Sequence, residues 1–179
     1  MPFDSNIKLI FDKMRQIEND VSNLAWRSFT TSIVFDDIFI DNLSSVSAIN
    51  WSQSSYLYDS VNDLVYKPTS SDMTITTNPW SASQINPSSS FCLLEIIPSG
   101  SGYDVSLDIR VSVSTNNGSS FTQFTNLHEL FVFQSTGVTY LKGEISGLTE
   151  YGSDQIVLKM ETLNDKDIKI SAYSVGLRF

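Results

Sequence analysis

Apolar residues in the N-terminal stretch recur at Phe3, Ile7, Ile10, Met14, Ile17, Val21 and Leu24, an unbroken alternation of steps of four and three. This spacing predicts a helix with a heptad seam: Ile7, Met14 and Val21 at position a, and Phe3, Ile10, Ile17 and Leu24 at position d. Lys13 at g faces Glu18 at the following e, a pair that attracts across a parallel interface. Isoleucine at d disfavours two strands, and Phe11 at e widens the apolar face, so a parallel homotrimer is the arrangement the seam favours. A second reading stays open, in which the same helix, about 25 residues and roughly 38 Å long, lies along its own domain. The stripe is narrower than a helix resting on a sheet normally presents.

After Ser28 the period changes. The β-branched run Thr30, Thr31, Ile33, Val34 opens extended structure, and TTSIVFDDIFID predicts one long strand or two short ones bent at Asp36 and Asp37. In NLSSVSAINWSQSS a polar connection is expected, pinned to the core by Val46, Ile49 and Trp51. Residues Tyr56 to Tyr66 read as a hairpin turning through Asp59 to Asp63. DMTITT follows as a strand, and Pro79 to Ser90 as a second loop around Trp80. SSFCLLEII is apolar without alternation, the mark of a strand buried on both faces. Tyr103, Val105, Leu107, Ile109, Val111 and Val113 then alternate strictly with polar residues and predict one long strand. Asn116-Asn117-Gly118 supplies a reversal, and four further strands follow, the last running to Phe179 and paired inside a sheet.

About ten short strands with no helix after Ser28 make the chain mainly β. The expected architecture is a jelly-roll-like antiparallel β-sandwich over residues 29–179, preceded by an N-terminal coiled-coil α-helix over residues 1–28. All eight glycines lie from Gly100 onward. Turns in the first half therefore use Asn, Asp, Ser and Pro, which favours long irregular connections over tight hairpins.

Composition narrows the function. A net charge of −9 on 179 residues, with Lys67 the only basic side chain between Ser28 and Ile109, argues against nucleic acid and anionic membranes as partners. No apolar run reaches the length of a membrane span, and the first residues lack a basic region followed by an apolar core, so neither a span nor a secretory signal is expected. The single cysteine, Cys92, sits in an apolar strand and reads as a core residue. The single histidine, His128, reads as an edge or core residue. Asp36, Asp37, Asp41, Glu95, Asp104 and Asp108 supply carboxylates with no spacing that brings two together. Asn164, Asp165 and Asp167 have oxygen ligands at a spacing compatible with calcium, and turn residues between two strands are the commoner reason for such a cluster. With no nucleotide loop and no zinc spacing, neither cofactor nor metal is expected.

Ser114 to Phe121, S-T-N-N-G-S-S-F, resembles the Asp-box hairpin Ser-x-Asp-x-Gly-x-Thr-Trp, with Asn116, Ser120 and Phe121 in place of its aspartate, threonine and tryptophan. The motif is structural wherever it occurs. Together with the N-terminal seam and the Ser/Thr/Asn-rich β-domain, the chain resembles small fibre, spike and decoration subunits of tailed-bacteriophage virions. That resemblance implies a non-enzymatic structural protein made in the host cytoplasm and released by lysis, with other virion proteins as partners. The rival is a carbohydrate-binding module recognising a host surface glycan through Trp51, Tyr56, Tyr58 or Trp80, since aromatic faces stack on pyranose rings and carry polar tips. A glycan-degrading enzyme would need a constellation not visible in the sequence.

The seam generates a direct test. Light-scattering mass is expected to be three times the chain mass for the full chain and one chain mass for a shortened chain beginning at Phe29; a monomer in both cases overturns the trimer.

Overall fold

The computed structural model describes residues 35–179 apart from 70, 100–101, 134–135 and 149–151. The seam residues and the expected coiled coil over residues 1–28 lie outside the described residues. Residues Phe35–Phe179 form one compact unit, and it is built from two antiparallel sheets.

The organising strand is β6, Ser89–Pro98, where Cys92, Leu94 and Ile96 are fully buried on one face and Phe91 and Leu93 are buried on the other. A strand apolar on both faces cannot occupy an edge. On one side β6 pairs with β10, Thr139–Ser146, and on the other with β12, Ile168–Arg178. Beyond β10 lies β9, His128–Val132. Beyond β12 two elements share the next position: β3, Leu64–Tyr66, against its start and β1, Asp37–Asp41, against its end. The hairpin partner β2, Leu57–Asp59, completes this seven-stranded sheet.

The second sheet has five strands centred on β11, Gln155–Thr162. β7, Ile109–Ser114, pairs along one side of β11 and carries β8, Thr122–Gln123, beyond it. β4, Thr74–Thr76, and β5, Trp80–Ser81, share the other side. The chain changes sheet between β3 and β4, β5 and β6, β6 and β7, β8 and β9, β10 and β11, and β11 and β12, the repeated exchange expected of a jelly-roll-like sandwich. Between the sheets Cys92, Leu94, Ile96, Leu141, Tyr173 and Val175 meet Ile75, Val111, Val113, Ile156, Leu158 and Met160 in one core. Each such side chain stabilises the fold by about 1.5–3 kcal/mol through removal from water.

One strand differs from expectation. The alternation from Tyr103 to Val113 predicts an unbroken strand, yet Val105–Asp108 is a helical turn and β7 begins at Ile109. Asp104 caps the turn: its side chain accepts from the Ser106 amide (2.8 Å) and hydroxyl (2.6 Å). Asp108 reaches back to accept from the Asp104 amide (2.7 Å). Short acidic side chains that bond nearby amides compete with a strand ladder, and here they win, leaving Leu107 62 % exposed.

The Ser114 to Phe121 hairpin closes as its motif requires. Asn117 and Gly118 have φ of 60° and 77°. Ser114 Oγ donates to Asn116 Oδ1 (2.8 Å) and accepts from the Gly118 amide (2.8 Å), while the Asn116 side chain accepts from the Ser120 amide (3.0 Å). Its Nδ2 donates to Ser120 Oγ (2.6 Å), so an amide organises the turn where the motif has a carboxylate.

Gly143 on β10 lies opposite Cys92. A Cβ there would stand 2.9 Å from Cys92 Sγ and 3.2 Å from both Leu127 Cδ1 and Phe124 Cβ. Gly143→Ala is therefore expected to destabilise by about 1–3 kcal/mol in urea unfolding, and by less once Cys92→Ala removes the nearest obstruction. Strict additivity of the two changes would overturn this account.

Candidate functional site

Between β1 and β2 the chain leaves the large sheet and lies against the free edge of β4 in the small one. It is fastened there by backbone bonds. Asn50 donates to Thr76 O (2.8 Å), Ser55 and Thr74 exchange bonds of 2.8 and 2.9 Å, and the Asn78 amide donates to Ala48 O (2.7 Å). Side chains add more: Asn78 Nδ2 donates to Ser47 O (2.9 Å), Thr76 Oγ1 to Gln53 O (3.1 Å), and the Thr76 amide to Ser54 Oγ (2.9 Å). Ile49, buried, and Val46 anchor the loop to the core, as expected.

Trp51 does not. Its residue opens a single 3-10 turn, Trp51–Gln53, whose N-cap Asn50 accepts from the Ser52 amide (3.2 Å) and hydroxyl (2.8 Å). The turn holds Trp51 63 % exposed, with its ring 5.0 Å from that of Tyr56 at an interplanar angle of 31°. Ser52 and Gln53 beside it are exposed. The result is an indole on a fastened backbone, backed by a second ring and flanked by hydroxyl and amide groups.

The other aromatics named from the sequence have structural employment. Tyr56 is 9 % exposed, and its hydroxyl has no hydrogen-bond partner among the described residues; burial raises its pKa. The Tyr58 hydroxyl donates to Leu43 O (3.0 Å) and Asp63 Oδ1 (3.2 Å), tying the β2–β3 hairpin to the residue where the loop departs with φ of 55°. Burial and the adjacent Asp63 carboxylate raise its pKa. Trp80 stacks on Phe39 at 5.0 Å and 20°, joining the small sheet to β1. Phe39 in turn meets Tyr173 at 6.1 Å, whose hydroxyl donates to Asp41 (2.9 Å). These contacts pack Phe39 and Trp80 against the core around Tyr173.

The remaining candidate groups are engaged elsewhere. Cys92 is fully buried, and burial pushes its thiol far up. His128 is exposed on the edge strand β9, with Nδ1 2.7 Å from Asn126 O. Asp36 accepts from the Phe179 amide (2.8 Å) and Asp37 from the Ser83 amide (2.5 Å). Glu95 accepts from the Tyr140 (2.5 Å) and Ser171 (2.7 Å) hydroxyls. Asn164 and Asp165 adopt φ of 57° and 58° in the turn before β12. There Asn164 Nδ2 donates to Asp108 Oδ1 (2.9 Å), and this bond chiefly holds the Asp108 carboxyl below the usual range. Asp165 pairs with Lys67. No group of three or more His, Cys, Asp or Glu side chains is arranged to hold a metal among the described residues. None of their helices is long and apolar enough to cross a membrane.

No family model and no curated protein matches the chain. Among solved structures it is similar to BiXyn10A CBM1 in its apo form, with 8 % identity, a TM-score of 0.45, and 80 % of this chain and 99 % of that one covered. It is also similar to TmCBM27, a carbohydrate-binding module described for mannan recognition (13 %, TM-score 0.45, 80 % and 96 % covered). A third is the C-terminal CBM6 of LamC from Zobellia galactanivorans (13 %, TM-score 0.38, 78 % and 99 % covered). At these scores the likenesses carry no argument, and the functional reading rests on the residues of this chain.

The buried Tyr56 hydroxyl yields a test. A buried polar group without a partner costs about 1–3 kcal/mol, so Tyr56→Phe is expected to leave urea stability unchanged or raise it by about 1 kcal/mol while the ring still supports Trp51. A loss above about 1 kcal/mol would show that the hydroxyl is bonded after all.

Proposed function

We propose that the β-domain is a non-enzymatic carbohydrate-binding module whose contact residue is Trp51. The observation that carries this is the indole's exposure on a backbone fastened at both ends. Other apolar side chains are as open, Val61 at 87 %, Leu107 at 62 % and Ile85 at 58 %, but a branched aliphatic chain offers no flat face. A ring already fixed in place loses little conformational freedom on binding, which raises the net gain from stacking. Ser52 and Gln53 supply donors and acceptors at its margin, the complement of a sugar ring with an apolar C–H face and a hydroxyl rim.

A non-catalytic role is supported by the use of the acidic side chains in turns and inter-strand contacts and by the burial of the only thiol. The heptad seam at Phe3 to Leu24 favours a second element of the reading: a virion appendage in which three such domains are joined. One stacked ring binds weakly, and joining copies multiplies the apparent affinity without new contacts.

A glycan array probed with the full chain is expected to show binding that Trp51→Ala reduces by at least about tenfold, equivalent to about 1.4 kcal/mol. Trp51→Ala should keep its urea stability within about 1 kcal/mol of the parent, because most of the ring is already in water. Trp80→Ala should do the reverse, retaining the binding but losing stability through the Phe39 stack. An array blank across host polysaccharides overturns the reading.

A further inference from the structure

The side of the molecule around Trp51 has a definite electrostatic character. The segments that frame the indole are residues 47–66, which hold the loop, β2 and β3, and residues 72–78, which hold β4. Together they contain Asp59, Asp63 and Asp72 and not one lysine, arginine or histidine. Asp59 is an ionised anchor of the β2–β3 turn: it accepts from the Val61 (3.0 Å) and Asn62 (3.3 Å) amides and from Asn62 Nδ2 (2.7 Å). These bonds, the Asn62 side chain's first, hold its carboxyl below the usual range. Asp63 lies against Tyr58 and Asp72 accepts from the Asp165 amide (2.9 Å). The nearest cation in sequence, Lys67, is committed to Asp165. What surrounds the indole otherwise is neutral: Asn50, Ser52, Gln53, Ser54 and Ser55.

From this we infer that the Trp51 platform selects uncharged glycans and rejects those carrying uronate or sulfate groups. The inference rests on the carbohydrate-binding reading and adds the ligand class to it. Two physical terms act in the same direction. A carboxylate or sulfate brought to this surface approaches segments whose charged side chains are all acidic, on a chain whose net charge is already −9. The ammonium groups that adjoin these segments are already engaged, Lys159, opposite Thr76 on β11, with Glu161 (2.9 Å), Lys169 with the field of Asp59 and Lys67 with Asp165, and an anion desolvated without a partner of its own costs more than one sugar stack returns. A neutral ring meets neither penalty, because its hydroxyls bond to amides and hydroxyls. The single indole further limits the contact to one pyranose at a time, so a chain end or a lone branch sugar is as good a ligand as an internal residue.

Affinity electrophoresis of the full chain in gels containing neutral or polyanionic polysaccharide tests this at two ionic strengths. The screening length falls from about 30 Å at about 0.01 M salt to about 8 Å at about 0.15 M. Neutral polysaccharides are expected to retard the protein equally at both, and Trp51→Ala to abolish the retardation. Polyanions should fail to retard it at either, most clearly at low salt. Gln53→Lys, which places a cation beside the indole, should introduce polyanion retardation at low salt. Trp51-dependent retardation of the parent chain by a uronate- or sulfate-bearing polymer overturns the selectivity while leaving the carbohydrate-binding reading intact. Absence of retardation by every polymer overturns both.

Discussion

The ladder between β6 and β12 is the constraint on which residues 35–179 depend. It runs from Ile168 opposite Pro98 to Arg178 opposite Ser89, and slips by one residue between Ile170 and Ala172. Both strands are buried over most of their length, so neither tolerates a shift of register, which would exchange core-facing for outward-facing side chains. The slip itself is put to use. Ser171, the residue left over, places its hydroxyl on Glu95, which also accepts from Tyr140 on the next strand. A β-bulge thus becomes a cross-link over three adjacent strands of the large sheet.

The far side of β12 explains the position of the candidate site. Two short strands share it, β3 and β1, and the same division recurs on β11, which β4 and β5 share. On β11 the step between β4 and β5 is closed by Thr77, whose amide donates to Leu158 O (2.9 Å) and whose hydroxyl accepts from the Leu158 amide (3.0 Å). The chain between β1 and β2 crosses to the free edge of β4, and the Phe39–Trp80 stack joins β1 to β5. Trp51 therefore stands on a segment that covers the β4 edge of the small sheet. The bonds that hold the segment to β4 are the same bonds that position the indole.

Periodicity made most strands legible. The unalternating run from Ser89, the Tyr56 to Tyr66 hairpin and the last four strands fall where the pattern puts them, because burial on one face or both dictates the spacing of apolar residues. The failure at Tyr103 to Asp108 is equally physical: alternation measures compatibility with a strand, whereas Asp104 and Asp108 bond to neighbouring amides and fix a helical turn. At the site, residue types were readable and exposure was not. Trp51 and Tyr56 are both loop aromatics in sequence, and only the 3-10 turn capped by Asn50 separates the presented ring from the supporting one. Asn50 held the clue, since asparagine is a favoured N-cap whose side chain accepts from the backbone amide two residues on. The crossing to the other sheet, which decides what Trp51 faces, depends on pairings distant in sequence.

Cys92 has a consequence beyond packing. It is the chain's only sulfhydryl, it lies wholly inside the sandwich against Gly143, and burial keeps it in the unreactive protonated form. Among the described residues no sulfur is exposed to pair, cap or oxidise: Cys92, Met73 and Met160 are all fully buried. Pairing or capping of the Cys92 thiol therefore requires the sandwich to open first, so its accessibility to a thiol reagent reports on the integrity of the whole core.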